Sequence, residues 1–402
     1  MLGGRSLRHP FFFVGLNNTK SYCLAPLRAV VFLDSARNST FVGLCINRGI
    51  MMTGISMVDL KGQYNRIKDE IDGRMQEVID TTAFIKGPQV KQFEDHLSRY
   101  LGVNHVVGCA NGTDALQIAL MALGLKPGDE VITADFTFIA TVEVVALLGL
   151  KPVLVDVDPD TYTIDIEKLE KAITRRTKAI IPVHLFGQCA DMEPILLLAQ
   201  KHKLFVIEDT AQATGAIYTF ADGTVMHAGT MGHIGTTSFF PSKNLGCYGD
   251  GGALFTNDDA IAEKIRMVAN HGMRVRYHHE IIGVNSRLDT LQAAVLDVKL
   301  KYLDEYNRAR RSAADYYDAA FEGVPGLITP FRAENSTHIF HQYTIVLDED
   351  IDRVELMKYL QGKGIPSMIY YPIPLHRQEA LGEAKGKDAD FPITEMLCKR
   401  VK

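Results

Sequence analysis

Residues 178–212 read KAIIPVHLFGQCADMEPILLLAQKHKLFVIEDTAQ. The apolar run at 178–184 predicts a buried strand, 192–202 a helix, and 203–208 a second strand that ends on two acids, Glu208 and Asp209. Strand, helix and strand in this order form a crossover unit, with the strands parallel and the helix over one face. Strands this apolar suit a sheet covered on both sides.

The alternation continues in both directions. Strands are predicted at 105–110, 130–134, 152–157, 235–240 and 252–256, and helices at 113–123, 137–149, 165–174 and 258–271. The fold class expected is α/β, a mostly parallel seven-stranded sheet with helices on both faces plus a smaller C-terminal α/β domain. Upstream, 58–80 is loosely helical, and Val90, Phe93, Leu97 and Leu101 form one stripe of an amphipathic helix. Downstream, long helices are expected within 287–322, then a strand at 342–347, a helix at 352–363, a strand at 366–370 and a polar loop at 382–390. The boundaries expected are 52–300 for a large ligand-binding domain and 301–402 for the small one.

The 402 residues suffice for two cores. A net charge of −5 leaves no basic footprint for nucleic acid. No apolar run approaches the roughly 18 residues of a membrane span. Neither nucleic acid nor membrane is therefore expected as a partner. The cysteines lie singly, without CxxC pairs or zinc-ligand spacing, so no metal site is expected and a cytoplasmic location suits them. Residues 1–51 carry no ordered pattern and make a poor signal peptide. They are expected to be an unstructured extension ahead of a native start at Met51 or Met52, with a short targeting or regulatory arm as the alternative.

Ligands of such sheets bind beyond the carboxyl ends of the strands. Four groups are placed there. Asn111-Gly112-Thr113-Asp114 is a short turn opening a helix, whose free N–H groups and dipole favour an anion such as phosphate; a plain helix cap at Thr113 is the alternative. Phe138 follows a strand end, where an aromatic can stack on a flat ligand or simply join the core. Asp209 ends an apolar strand and can pair with a protonated ring nitrogen or cap a helix. Lys243, in SFFPSKNLG, lies among apolar neighbours that strip its solvation and free the amine as a nucleophile, although most loop lysines are merely solvated. Together the four match what a phosphorylated pyridine aldehyde requires.

Read as a set, GTDAL (112–116), FTFIAT (136–141), EDTAQATGA (208–216), SFFPSKNLGCYGDGGA (238–253), GVNSRLDTLQAA (283–294) and YYPIPLHRQ (370–378) resemble the DegT/DnrJ/EryC1/StrS nucleotide-sugar aminotransferases in content and order. Their wording is most similar to the branch acting on UDP-2-acetamido-2-deoxy-3-oxo-hexuronates. The resemblance implies the fold type I architecture and the cofactor pyridoxal 5′-phosphate. It makes Lys243 the lysine that forms the internal aldimine and shuttles the proton. Asp209 becomes the partner of the pyridine nitrogen, Gln212 faces the ring hydroxyl side, and Phe138 lies on the ring face. Gly112, Thr113 and Ser238 match phosphate-binding positions. Asn285 matches an asparagine that reaches the neighbouring subunit's cofactor, which implies a homodimer with shared sites. Arg287 and His376 are the substrate-binding candidates, while His278, His279 and His341 are expected to be structural.

The implied reaction moves an amino group from glutamate to a nucleotide-linked keto-sugar, UDP-2-acetamido-2-deoxy-3-oxo-glucuronate in the first instance, for surface polysaccharides such as O-antigen. Two alternatives stand beside it. The family's sugar dehydratases usually carry histidine at the lysine position, and Lys243 argues against that branch. A PLP-binding but non-catalytic homologue is the other, because members usually continue into a further strand and helix after the helix read at 392–402. The glycines from Gly246 to Gly252 lack the strand–GxGxxG–helix order of a dinucleotide site. The segment 219–231, with His227 and His233 near it, reads as slightly expanded relative to the family.

Overall fold

The computed structural model describes residues 55–384 and 388–402, together with two short strands nearer the start. The chain divides into two units, Met1–Met51 and Met52–Lys402. In the first, Val31–Phe32 pairs antiparallel with Gly43–Leu44. Apart from those four residues, the unstructured reading of 1–51 lies outside the described residues.

The second unit is built on seven strands: β1 His105–Cys109, β2 Glu130–Ala134, β3 Lys151–Val155, β4 Thr177–Ile181, β5 Phe205–Asp209, β6 Ile234–Ser238 and β7 Gly252–Thr256. Their order across the sheet is β1-β7-β6-β5-β4-β2-β3. Only β7 runs against its neighbours β6 and β1, so six strands point the same way. The register carries the burial. Val107, Val131, Ala179, Ile207, Ile234 and Leu254 pack on one face against the helices α4 (Gly112–Ala122), α5 (Ala140–Leu147) and α8 (Asp259–Val268). Alternate residues serve the other face. Ile132, Ile180 and Val206 meet α7 (Met192–His202), and Val106, Ala253 and Phe255 meet α3 (Pro88–Leu101) and α9 (Thr290–Leu300).

Ahead of the sheet lie α1 (Leu60–Arg66) and α2 (Lys68–Thr81), and α6 (Ile166–Ala172) follows β3; local chemistry sets the helix ends. Pro88 opens α3 and Gly102, at φ 72°, closes it in the left-handed region. Asn111, not Thr113, caps α4: its side chain accepts from the Asp114 N–H at 2.8 Å. Beyond α9 lie α10 (Leu303–Phe321), α11 (Arg353–Gly362) and α12 (Pro392–Arg400). The strand expected at 342–347 shrinks to Val346–Leu347, which pairs with Leu327–Ile328 and bridges to Val401. The strand expected at 366–370 does not form, and that stretch is irregular. Part of the polar loop at 382–390 lies outside the described residues; Asp388–Asp390 within it is a 3₁₀ turn. Among the described residues no helix is long and apolar enough to cross a membrane.

Candidate active site

The six co-directional strands bring their carboxyl ends to one edge, and the predicted residues gather there. At the end of β1 the chain turns through Asn111 into α4, so Gly112 and Thr113 sit in its first turn with backbone N–H groups outward. Gly112 lies against the end of β6, where a β-carbon on it would come within 2.7 Å of Ser238 Cβ. Ser286 Oγ accepts from the Ala110 N–H at 3.0 Å and ties the 283–287 segment to the same turn. The result is a backbone-lined cradle at a helix N-terminus, the usual solution for a phosphate.

Asp209, at the end of β5, is 7 % exposed. Its Oδ2 accepts from Thr141 Oγ at 2.9 Å and its Oδ1 from the Ala211 N–H at 3.1 Å. Both bonds fix the direction of the carboxylate. Lys243 follows β6 in a loop whose N–H bonds to Phe240 O at 2.8 Å. Burial pushes its amine down to about 8, and the nearby Asp209 charge opposes the shift. An amine poised near neutral pH, facing a fixed carboxylate, suits nucleophilic and proton-transfer work.

Gln212 is 8 % exposed and both ends of its amide are engaged. Its Oε1 accepts from the Phe186 N–H at 2.6 Å, and its Nε2 donates to Tyr371 Oη at 3.1 Å. Phe138 stands over Tyr371, ring centroids 6.3 Å apart, and is 55 % exposed. An aromatic that open, on the rim of a buried polar cluster, is unusual unless something covers it.

The substrate candidates fall differently. Asn285 is exposed and bridges to Asn270; Arg287, two residues on, is partly exposed. His376 is corrected: it is 2 % exposed, with Nδ1 at 2.6 Å from Asp135 Oδ2, Nε2 at 3.2 Å from Glu395 Oε1, and its ring stacked on Phe391. It offers no open face to a substrate and instead ties α12 to the turn before Phe138. Burial pushes the Asp135 carboxyl up to about 6 against the opposing pull of His376. His278 and His279 lie exposed on a short hairpin with Met273–Val275. Sequence reasoning missed Thr141, Tyr371 and Glu208. Glu208 is wholly buried and accepts from Gly229, Met231 and Gly232 N–H groups and from His184 Nε2. An acid ending an apolar strand was its visible signal; for Tyr371 it was membership of the YYPIPLHRQ motif, far along the chain from the rest of the site.

A phosphate cradle, a fixed buried carboxylate, an exposed ring and a depressed lysine amine around one edge define the class of enzyme that works through a phosphorylated pyridine aldehyde. The chain belongs to the DegT/DnrJ/EryC1/StrS aminotransferase family, which matches residues 65–402. It is 50 % identical over 347 residues to the UDP-2-acetamido-2-deoxy-3-oxo-D-glucuronate aminotransferase of Pseudomonas aeruginosa, covering 86 % of this chain and 93 % of that one. It is 46 % identical over 349 residues to the UDP-N-acetyl-3-dehydro-alpha-D-glucosamine 3-aminotransferase of Acidithiobacillus ferrooxidans, covering 87 % and 92 %. Among solved structures, NtdA of Bacillus subtilis with bound PMP superimposes at a TM-score of 0.79 with 34 % identity, covering 88 % of this chain and 81 % of that one. The protein is an aminotransferase, its cofactor is pyridoxal phosphate, and its fold is type I as expected.

Proposed function

We propose that this enzyme transfers an amino group from glutamate to a nucleotide-linked 3-keto sugar, with UDP-2-acetamido-2-deoxy-3-oxo-glucuronate as the first candidate, for surface-polysaccharide biosynthesis in the cytoplasm. The observation that carries the reading is the Lys243 amine, buried and depressed opposite Asp209 beside the α4 cradle. The half-identical relative named for that sugar supports the choice of acceptor.

The residues fit the cofactor. The first turn of α4, with Gly112, Thr113 and Ser238, takes the phosphate. Asp209 would hold the proton on the ring nitrogen, Gln212 and Tyr371 would close the hydroxyl side, and Phe138 would cover a ring face. Once bound, pyridoxal phosphate supplies an aldehyde to receive the amino group and a ring to spread negative charge at the reacting carbon. Lys243 Nζ takes a proton from the donor's α-carbon and gives one back, which its pKa near pH 8 allows in either direction. Asn285 reaches the partner's site in a homodimer, and Arg287 pairs with a carboxylate or phosphate of the substrate. Donor and acceptor then use one site in turn, so each half-reaction runs alone.

The test is a visible spectrum of the protein with pyridoxal phosphate, before and after glutamate. Bleaching of the long-wavelength band, absent in Lys243→Ala, supports donor and lysine together; a band that persists in Lys243→Ala sinks the assignment. Arg287→Met should raise KM for a uronate acceptor roughly tenfold or more, the worth of a charged hydrogen bond, and barely change it for the corresponding neutral sugar.

A further inference from the structure

A second lysine is buried near the first. Lys299, on α9, is 1 % exposed, and among the described residues no carboxylate pairs with it. Its Nζ donates to the Gly246 carbonyl at 2.7 Å and stands 4.5 Å from the centroid of the Tyr248 ring. Burying an ammonium without a counter-charge is unfavourable, and burial pushes this amine down to about 8. A methionine would fill the same space without that penalty, so the ammonium is explained by what it holds.

It holds the loop that carries Lys243. The Cys247 N–H donates to Phe239 O at 2.8 Å and fastens the loop at its base, while the Phe239 N–H donates to Gly251 O at 2.7 Å. At the turn the Lys243 N–H meets Phe240 O at 2.8 Å. Gly246 packs so tightly on the opposite arm that a β-carbon there would come within 2.4 Å of the Pro241 carbonyl oxygen. The two arms on either side of Lys243 therefore move together. Leu245 is buried among Phe93, Leu296, Leu300 and Leu303. A second tie comes from the same helix, where Gln292 Oε1 accepts from the Tyr248 N–H at 2.8 Å. The Lys299 bond is the charge-assisted member of the set, the stronger kind.

We propose that Lys299 is a positioning residue for Lys243: its ammonium clamps the Gly246 carbonyl and so holds in place the loop from which the reactive amine works. The inference rests on Lys243 as the reactive amine. Without the clamp the base of the loop stays paired at Phe239 and Cys247, so the loop loosens rather than unfolds. The Lys243 amine then spends less time in the geometry that proton transfer requires.

Lys299→Met keeps the stem and removes the donor, and three readings test it. In the cofactor-free protein, hydrogen exchange at the Lys243 and Cys247 amides should quicken roughly tenfold, the worth of a hydrogen bond to a charged group, while β6 and β7 keep their rates. In the loaded enzyme, kcat of the glutamate half-reaction should fall by roughly the same factor, with the donor KM held. The melting temperature should hold or rise, because an unpaired buried charge has gone. Lys299→Arg, which keeps a charged donor, should regain most of kcat. A role in packing alone gives a different pattern: Lys299→Met folds less stably, and exchange quickens across α9 and the sheet. That pattern overturns the clamp, as does wild-type kcat and loop exchange in Lys299→Met, or an arginine variant no better than the methionine one. Loss of the visible band in Lys243→Ala beside an unaltered Lys299→Met would fail the Lys299 role alone; a band that survives Lys243→Ala would fail the reading beneath it.

Discussion

Lys243 costs the fold something, and the cost depends on pH. Folded, its amine has a pKa of about 8; unfolded, it returns to the ordinary 10.5. Between those values the unfolded chain binds the extra proton, so stability contributed at this site rises with pH across that window. Below pH 8 the penalty is complete. Lys243→Met should therefore raise the melting temperature of the cofactor-free protein, most at pH 7 and least near pH 10; equal gains at both would contradict the depressed amine. Phe138 presents the opposite case, because it is too exposed to hold the core. Phe138→Leu should leave the melting temperature unchanged yet weaken retention of pyridoxal phosphate, measured by dialysis and absorbance, by about 0.5–1.5 kcal/mol of stacking. At this scale Lys243, Asp209 and the Asn111–Asp114 turn were legible, since each is a polar group set against an apolar strand end. His376 misled because a histidine in a loop reads as available, whereas its two carboxylate neighbours come from segments far away in sequence.

Among the elements, β5 carries the site by way of a residue that never touches it. The Glu208 carboxylate gathers the N–H groups of Gly229, Met231 and Gly232 and the ring of His184, and so fixes the loop entering β6 and the turn leaving β4 around the end of β5. Glu208→Gln turns an NH₂ group toward donors. It should cost about 1–3 kcal/mol for each group left unsatisfied, read from urea unfolding. It should also loosen Asp209, so cofactor retention falls with stability; a variant as stable as the wild type would refute the account. The strands of the large sheet were legible to within three residues because nearly all are short, apolar and bounded by turn signals. The stretch 366–370 has the same composition but lies outside that sheet, and among the described residues no partner strand pairs with it. Periodicity reports which residues prefer burial and is silent on whether a neighbour is available.

For the whole molecule, the site edge is rimmed by apolar side chains that a lone chain leaves in water: Phe84, Ile85, Phe138, Phe240 and Tyr248 are all more than a third exposed. In the proposed homodimer this rim is the covered face, and light scattering should give twice the chain mass. Shared sites make a sharper prediction. Lys243→Ala mixed with Asn285→Ala, each inactive alone, should recover roughly a quarter of the wild-type rate, since random pairing into two-fold dimers leaves that share of sites intact. No recovery after subunit exchange would confine each site to one chain. The proposed dimer rests, on the sequence side, on family resemblance alone, because contacts between copies leave no periodic trace along one chain.

The reversed strand β7 has a consequence for how the protein is made. Strand β1, which delivers the Asn111 turn, lies at the sheet edge and, among the described residues, pairs only with β7. A ribosome therefore releases β1 long before its neighbour exists, and the chain must be synthesised past Thr256 before that edge can zip shut. The phosphate cradle is thus among the last parts of the sheet to be completed. A nascent chain stalled before Gly252 should emerge unable to capture the cofactor, however much of it is already on the ribosome's far side. Supply of the vitamin-derived group can then rescue only finished polypeptides, and a shortage of it during growth should leave intact, empty enzyme ready to be charged later.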